Sequence, residues 1–159
     1  MTQPTSPEAS PWLDAEALIA ARARANIIEL SRQAETAVVQ PRDAGAFPAQ
    51  WRLAIAARIA ALNGLANLAE HYLASITEPA FRNLGDPAQT GSDARERAVI
   101  AFMDKVAAEP RAVVAGDIEG LKAAGVAEAD IVRLCELNAF MSYQCRVFAG
   151  LAVLKGAAA

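Results

Sequence analysis

The chain has 159 residues and a formal net charge of -3, and 54% of its residues are hydrophobic while only 6% are aromatic. This length suits one domain that buries about 70% of the surface exposed by its unfolded form. The hydrophobic excess comes from alanine and leucine, which favour helices, so we expect an all-α protein. The sequence has no dense cluster of lysine and arginine, and this argues against nucleic-acid binding.

The two ends of the chain are polar or small in composition. Residues 1–11 offer nothing to bury, so we expect a disordered arm there, a single helical domain over 12–155 and a disordered tail over 156–159. The N-terminal residues lack the basic and apolar segments of a secretory signal. The longest apolar runs are interrupted before the roughly 18 residues of a membrane span. We therefore expect a cytoplasmic protein without a membrane partner.

The first two helical regions are separated by a segment with two prolines and a glycine. Helical periodicity begins near Leu13, with Asp14 as a plausible cap, and continues as one long helix or two end-to-end helices to Val39. The second region covers about 49–76, and Pro48 stands where a first helical turn tolerates proline. Gly64 lies in its middle, either as a packing contact or as a break between two helices.

The remaining pattern predicts three further helices, and we expect about six to seven in the whole domain. Ser92 is expected to cap a helix that ends near Ala108, and Asp117 to begin a two-turn helix that stops before Gly125. The last helix follows over about 131–154. The second and the last regions are apolar on nearly all faces, which indicates burial between neighbours or at subunit contacts. We therefore expect an oligomer in which a partner subunit covers one or both.

The only histidine, His71, lies in the apolar stretch LNGLANLAEHYLA. In one continuous helix it would share a side with small residues, namely Ala57, Ala60, Gly64, Asn67 and Ser75. This stripe could admit a neighbouring helix, with Asn67 and His71 hydrogen-bonded at the contact. It could instead line a pocket in which His71 carries protons, since its unperturbed pKa is near 6.5. Glu70 is expected to face solvent or a neighbouring chain.

Polar residues also recur at intervals of four in the last helix, at Asn138, Ser142 and Arg146. A buried arginine needs a partner, and a carboxylate is its usual one because its donors match two oxygens. We expect such structural pairing for Arg146. The alternative is that Arg146 and Tyr143 reach a cavity and hold the anionic group of a small-molecule ligand.

The two cysteines, Cys135 and Cys145, fall on the same predicted helix about 15 Å apart, too far to form a disulfide with each other. The simplest expectation is that both are small buried apolar residues. Arg146 follows Cys145 in the sequence and could lower the pKa of its thiol, which leaves a redox role for Cys145 as an alternative. No set of metal ligands is predicted.

Two stretches resemble the carboxymuconolactone decarboxylase and alkylhydroperoxidase D superfamily: QWRLAIAARIAALNGLANLAEHYLASI and DIEGLKAAGVAEADIVRLCELNAFMSYQCRVFAGL. The resemblance extends from about Arg24 to Leu154. It implies an alkylhydroperoxidase D-like (AhpD-like) helical fold and assembly into trimers or hexamers.

Members of the peroxidase branch resemble one another in a Cys-x-x-Cys-x-x-x-His helix, where two thiols carry out the redox step. Matching His71 to the motif's histidine places Gly64 and Asn67 at the cysteine positions. Shifting the match by one residue places Tyr72 on the histidine, and Leu65 and Leu68 on the cysteines. Neither register supplies a thiol, so we do not expect the family's peroxidase mechanism.

The decarboxylase branch instead resembles Glu-Leu-x-x-His, matched here by Asn67, Leu68 and His71. This resemblance implies a cofactor-free decarboxylase or isomerase that acts on a small unsaturated acid, with His71 in proton transfer and Asn67 in positioning. The candidates for holding the acid are Arg52, Arg58, Tyr143 and Arg146. The rival hypothesis is a non-catalytic subunit that assembles with itself or with a cysteine-bearing relative.

Overall fold

The structure is a computed structural model that describes residues 25–154. Several expectations fall outside these residues: the arm over 1–11, the helix start near Leu13 with its cap Asp14, and the tail over 156–159.

The described residues form seven α-helices and two short 3-10 helices, with no β-strand between positions 25 and 154, which confirms the all-α prediction. The α-helices are α1 (Ala25–Val39), α2 (Ala49–Leu62), α3 (Ala66–Ala74), α4 (Pro79–Arg82), α5 (Ala94–Ala108), α6 (Ala115–Ala123) and α7 (Glu128–Leu154). The 3-10 helices are Asn83–Gly85 and Pro110–Ala112. None of the helices in this part of the chain is long and apolar enough to cross a membrane.

Helix α2 is the centre of the core. All of residues 51–60 are buried, and Ala54, Ala57 and Ala60 are completely inaccessible to solvent. Their small side chains let α1, α3, α5 and α7 approach α2 from several sides, which explains why a helix apolar on every face is stable here. This chain therefore buries α2 by itself, without a partner subunit.

The break between α2 and α3 is made at Gly64. Its φ of +73° is the left-handed conformation that glycine adopts without steric cost. A β-carbon built there meets no atom within 4 Å, so Gly64 is a helix break rather than a packing contact. The predicted stripe along one continuous helix is wrong, because Ala57 and Ala60 lie in the core whereas Asn67 is exposed.

Helix ends follow the predicted chemistry with small shifts. Asp93, not Ser92, is the cap of α5: its carboxylate accepts from the N–H of Glu96, while Ser92 donates to the Glu96 carboxylate. Helix α6 begins two residues before Asp117, whose carboxylate accepts from the N–H of Val114. Gly125 follows the end of α6 with a φ of +80°, as predicted.

Candidate active site

A cavity of about 170 Å³ opens where α1 and α3 meet α2. Its wall combines a carboxylate, an imidazole and a phenol with a few hydroxyl, amide and apolar groups. The lining residues are Glu35, Thr36, Val39, Gln40, Leu53, His71, Tyr72 and Ser75. Of the side chains predicted as catalytic or substrate-binding, only His71 lines this cavity, and Ser75, a member of the predicted stripe, lines it too.

His71 lies half-buried in the wall, with its ring edge-on to that of Tyr72 at 5.4 Å between centroids. Burial lowers the pKa of His71, and the charge of Glu35 raises it only in part. The imidazole is therefore neutral at physiological pH, the form that can both accept and donate a proton. Glu70, its neighbour in sequence, is exposed as expected.

Tyr72 connects the cavity to the core. Its ring is 1% exposed, and its hydroxyl oxygen lies 2.6 Å from Glu35 Oε1 on α1 and 2.6 Å from Gln144 Oε1 on α7. Burial raises the pKa of Tyr72, and the charge of Glu35 and the hydrogen bond to it raise the pKa further. The phenol thus stays protonated and holds the Glu35 carboxylate at the cavity wall.

The inward direction of Tyr72 follows from the helical repeat. Leu68 and Tyr72 are buried and Leu65 is half-buried, at spacings of three and four residues that share one helix face. Gly64 and Asn67 are exposed on the other side. Of the two registers of the cysteine motif, only the one with leucines at the cysteine positions directs those positions inward.

Arg52 stabilises the loop before α2 rather than the cavity. Its side chain is 1% exposed and donates to three backbone carbonyls, at 2.9 Å to Phe47, 3.1 Å to Val38 and 3.1 Å to Ala44. These hydrogen bonds satisfy backbone carbonyl groups at the end of α1 and in the loop between α1 and α2. Arg52 therefore has a structural role and does not reach the cavity at His71.

Arg58 joins α2 to α5. Its guanidinium grips the Asp104 carboxylate with two bonds of 2.6 and 2.7 Å and also donates to the carbonyls of Leu84, Asp86 and Pro87. At 1% exposure it is a buried arginine with a carboxylate partner, which is the pairing that the sequence predicted for Arg146. No arginine among the described residues lines the cavity at His71.

The predicted polar stripe of α7 runs from the core to the surface. Asn138 is fully buried and donates to the Met103 carbonyl at 2.8 Å. Arg146 is exposed and donates to the Ser142 carbonyl, so its expected burial with a carboxylate is wrong. Tyr143 is 42% exposed and its hydroxyl lies 2.9 Å from that of Ser31. The structure does not bring these side chains to the cavity.

Both cysteines are free. Cys135 is exposed, which corrects the expectation that it is buried, whereas Cys145 is buried as predicted. Burial raises the pKa of the Cys145 thiol, and the charge of Arg146 lowers it only in part. The proximity of the arginine therefore does not produce a reactive thiolate.

The sequence analysis missed Glu35 and Gln144. Glu35 is one of several polar residues on α1 and carries no local signal. Gln144 stands in the apolar stretch FMSYQCRVF, where an amide directed into the core needs a partner. The spacing of Leu65, Leu68 and Tyr72 could have indicated that the tyrosine points inward to meet it.

A second cavity, of about 400 Å³, lies in the connector between α4 and α5. Its wall includes Glu96, but this carboxylate already accepts from the N–H and hydroxyl of Ser92. Within residues 25–154, no three His, Cys, Asp or Glu side chains are grouped so that they could hold a metal ion.

No protein-family model and no curated protein sequence matches this chain. The crystal structure of an uncharacterized peroxidase-related protein from Silicibacter sp. TM1040 is similar over 96% of this chain and 93% of that one, with a TM-score of 0.70 and 17% identity. The two chains share a fold. The likeness concerns the fold alone, and membership of the AhpD-like superfamily stays a prediction.

Proposed function

We propose that the chain is a cofactor-free acid–base enzyme that shifts a proton, and with it a double bond, in a small unsaturated carbonyl compound. The observation that carries this proposal is the convergence of Glu35, His71 and Tyr72 on one cavity. The pKa values of His71 and Tyr72 are shifted, and titratable groups with shifted pKa values in a cleft are typical of catalytic sites. A volume of about 170 Å³ admits a compound roughly the size of benzene.

The proposed roles follow from the chemistry of the two side chains, a carboxylate base and an imidazole that can carry a proton. Glu35 takes a proton from the carbon next to the carbonyl, and the electron pair moves into the adjacent double bond. Glu35 then passes this proton through solvent to neutral His71, and the resulting imidazolium donates it to the far carbon, which restores both groups. Atoms and charge balance without an electron acceptor, so no thiol is required.

The charge of the cavity favours an uncharged substrate. Glu35 is the formally charged side chain in its wall, and the buried arginines Arg52 and Arg58 are bound elsewhere. A carboxylate close to Glu35 would be repelled, with no guanidinium in the described wall to offset that cost. An isomerisation of a ketone or lactone is therefore better supported than decarboxylation of an acid.

Deuterium exchange provides the test of this function. Small unsaturated ketones, lactones and the matching acids are incubated with the protein in heavy water, and NMR measures deuterium entry at carbon. We expect the neutral compounds to exchange, and His71→Gln and Glu35→Gln each to reduce the rate about 100-fold. Glu70→Gln, at the exposed neighbouring position, is the control and should keep the full rate. Unchanged rates in the first two variants would rule out the assigned roles.

We also propose that copies of the chain associate through α1 and α7, in agreement with the trimers or hexamers of the resembled superfamily. Both helices expose large apolar side chains near the Ser31–Tyr143 contact, with Leu30 58% and Val147 40% exposed. Exposed apolar surface of this kind favours protein contacts. This observation equally supports the rival function, a non-catalytic subunit that joins itself or a cysteine-bearing relative.

A further inference from the structure

The hydroxyl of Tyr72 makes two short contacts that its single proton cannot satisfy together. The carboxylate oxygen of Glu35 and the assigned amide oxygen of Gln144 both lie 2.6 Å from the Tyr72 oxygen. A tyrosine hydroxyl has one hydrogen, and both neighbours accept. Either Glu35 carries a proton, or the amide is turned by half a rotation so that its nitrogen faces Tyr72.

We infer that both arrangements are used, and that Gln144 is a positioning residue that keeps Glu35 hydrogen-bonded in either protonation state; the inference rests on the proposed role of Glu35 as base. With Glu35 ionised, the Gln144 amide group donates to Tyr72, and Tyr72 donates to Glu35. Once Glu35 has taken a proton, it donates to Tyr72, and Tyr72 donates to the Gln144 oxygen. A rotation of the amide thus reverses the direction of the chain.

Burial makes this reversal necessary. Tyr72 is 1% and Gln144 7% exposed, so water has little access to replace a lost partner. A buried donor or acceptor without a partner costs about 1–3 kcal/mol. An amide carries a donor and an acceptor on one plane, so turning it satisfies either state without moving α7. A base needs this property, because it is charged before the proton transfer and neutral after it.

Other titratable groups around the three residues do not supply the second proton. His71 lines the same cavity, but burial lowers its pKa, so the ring is neutral at physiological pH. Cys145 lies on α7 beside Gln144, and burial raises the pKa of its thiol. Leu53, which α2 contributes to the cavity, does not titrate. With Glu35 ionised, as its proposed role as base requires, the donor to Tyr72 is therefore the amide of Gln144.

The test compares the native chain with Glu35→Met at the same neutral pH, by NMR of the ¹⁵N-labelled protein. In the native chain, the Gln144 amide protons should give a strong nuclear Overhauser effect to the Tyr72 hydroxyl proton. In Glu35→Met, Tyr72 has only Gln144 to donate to, so the amide should turn. The effect should then weaken about tenfold or more, because the nitrogen leaves hydrogen-bond distance.

Three further variants define the outcome. Gln144→Met identifies the amide signals, Tyr72→Phe removes the hydroxyl signal, and Glu70→Met should leave the native effect unchanged. An amide with the same orientation in the native chain and in Glu35→Met would overturn the inference. Because no substrate is needed, a turning amide without catalysed deuterium exchange would reject only the proposed function. Catalysed exchange with a fixed amide would reject only the role of Gln144.

Discussion

At the scale of single residues, His71 is the most direct probe of the cavity, because the only histidine of the chain gives one isolated set of ring signals. We predict that His71 titrates below its ordinary value of 6.5, since burial lowers its pKa. Glu35→Gln should lower the pKa further, because the negative charge that favours the protonated ring is lost. Proton NMR over a pH series measures both, and Glu70→Gln should match the native chain.

The same shift makes stability depend on pH. The folded state binds the His71 proton less tightly than the unfolded state does. The contribution of the neutral ring to the free energy of unfolding is therefore fully present above pH 6.5 and is lost as the pH falls toward the folded pKa. Replacement by glutamine removes that contribution. Urea unfolding of the native chain and His71→Gln should show free energies that converge on acidification. Parallel curves would contradict the lowered pKa.

Arg58 offers the largest effect expected from one side chain. Arg58→Met leaves the Asp104 carboxylate and three backbone carbonyls without their donor. Removing one member of a buried ion pair costs about 3–5 kcal/mol, and because Asp104 is 29% exposed we expect about 3 kcal/mol. Chemical denaturation measures the loss. Arg146→Met, at an exposed site, should change the free energy of unfolding by less than about 0.5 kcal/mol.

The sequence could show which residue types are available but not which of them meet. His71 was a candidate because it is unique in the chain. The sequence makes Arg52 and Arg58 candidates for substrate binding, because it does not show whether a guanidinium is already bound within the fold or is available to an anion. Glu35 and Gln144 approach Tyr72 from helices far away in sequence, and one sequence contains no signal for that distance.

At the scale of helices, local chemistry allowed better predictions. Gly125 ends α6 as expected, because a left-handed residue after a helix is a property of the backbone alone. Ser92 and Asp93 are both good caps, and the choice between them depends on which one reaches the N–H of Glu96. Gly64 was left open between contact and break, since only the surrounding space distinguishes the two.

The break between α2 and α3 can be tested by substitution. Gly64→Ala forces a β-carbon into a left-handed conformation and should cost about 1 kcal/mol. Gly120→Ala is the matched control: Gly120 lies inside α6, and a β-carbon there also meets no atom within 4 Å. That change should stabilise the protein by about 0.5–1 kcal/mol, because alanine favours the helix. Thermal or chemical unfolding of both variants measures the two changes in stability, which should have opposite signs.

At the scale of the whole molecule, the apolar pattern correctly predicted the burial of α2 but did not show which surfaces cover an apolar helix. In the sequence, α2 and α7 are both long segments that are apolar on most faces. The chain itself buries residues 51–60 of α2, whereas α7 keeps Val147 and Val153 exposed at 40% and 70%. Small residues such as Ala57 let the neighbouring helices pack closely around α2. A chain of this size has enough helices to enclose one of the two segments.

The exposed side of α1 and α7 leads to a prediction about assembly. If copies of the chain meet there, Leu30→Glu places a charge in an apolar contact and should shift the protein toward monomers at micromolar concentration. Val114→Glu is the matched control, since Val114 is 59% exposed against 58% for Leu30 but lies at the start of α6. Sedimentation velocity measures the mass of both variants. An unchanged mass in Leu30→Glu, or a native chain that is already monomeric, would show that this surface does not join copies. The charge on Val114→Glu should leave the native mass in place because Val114 lies on neither α1 nor α7.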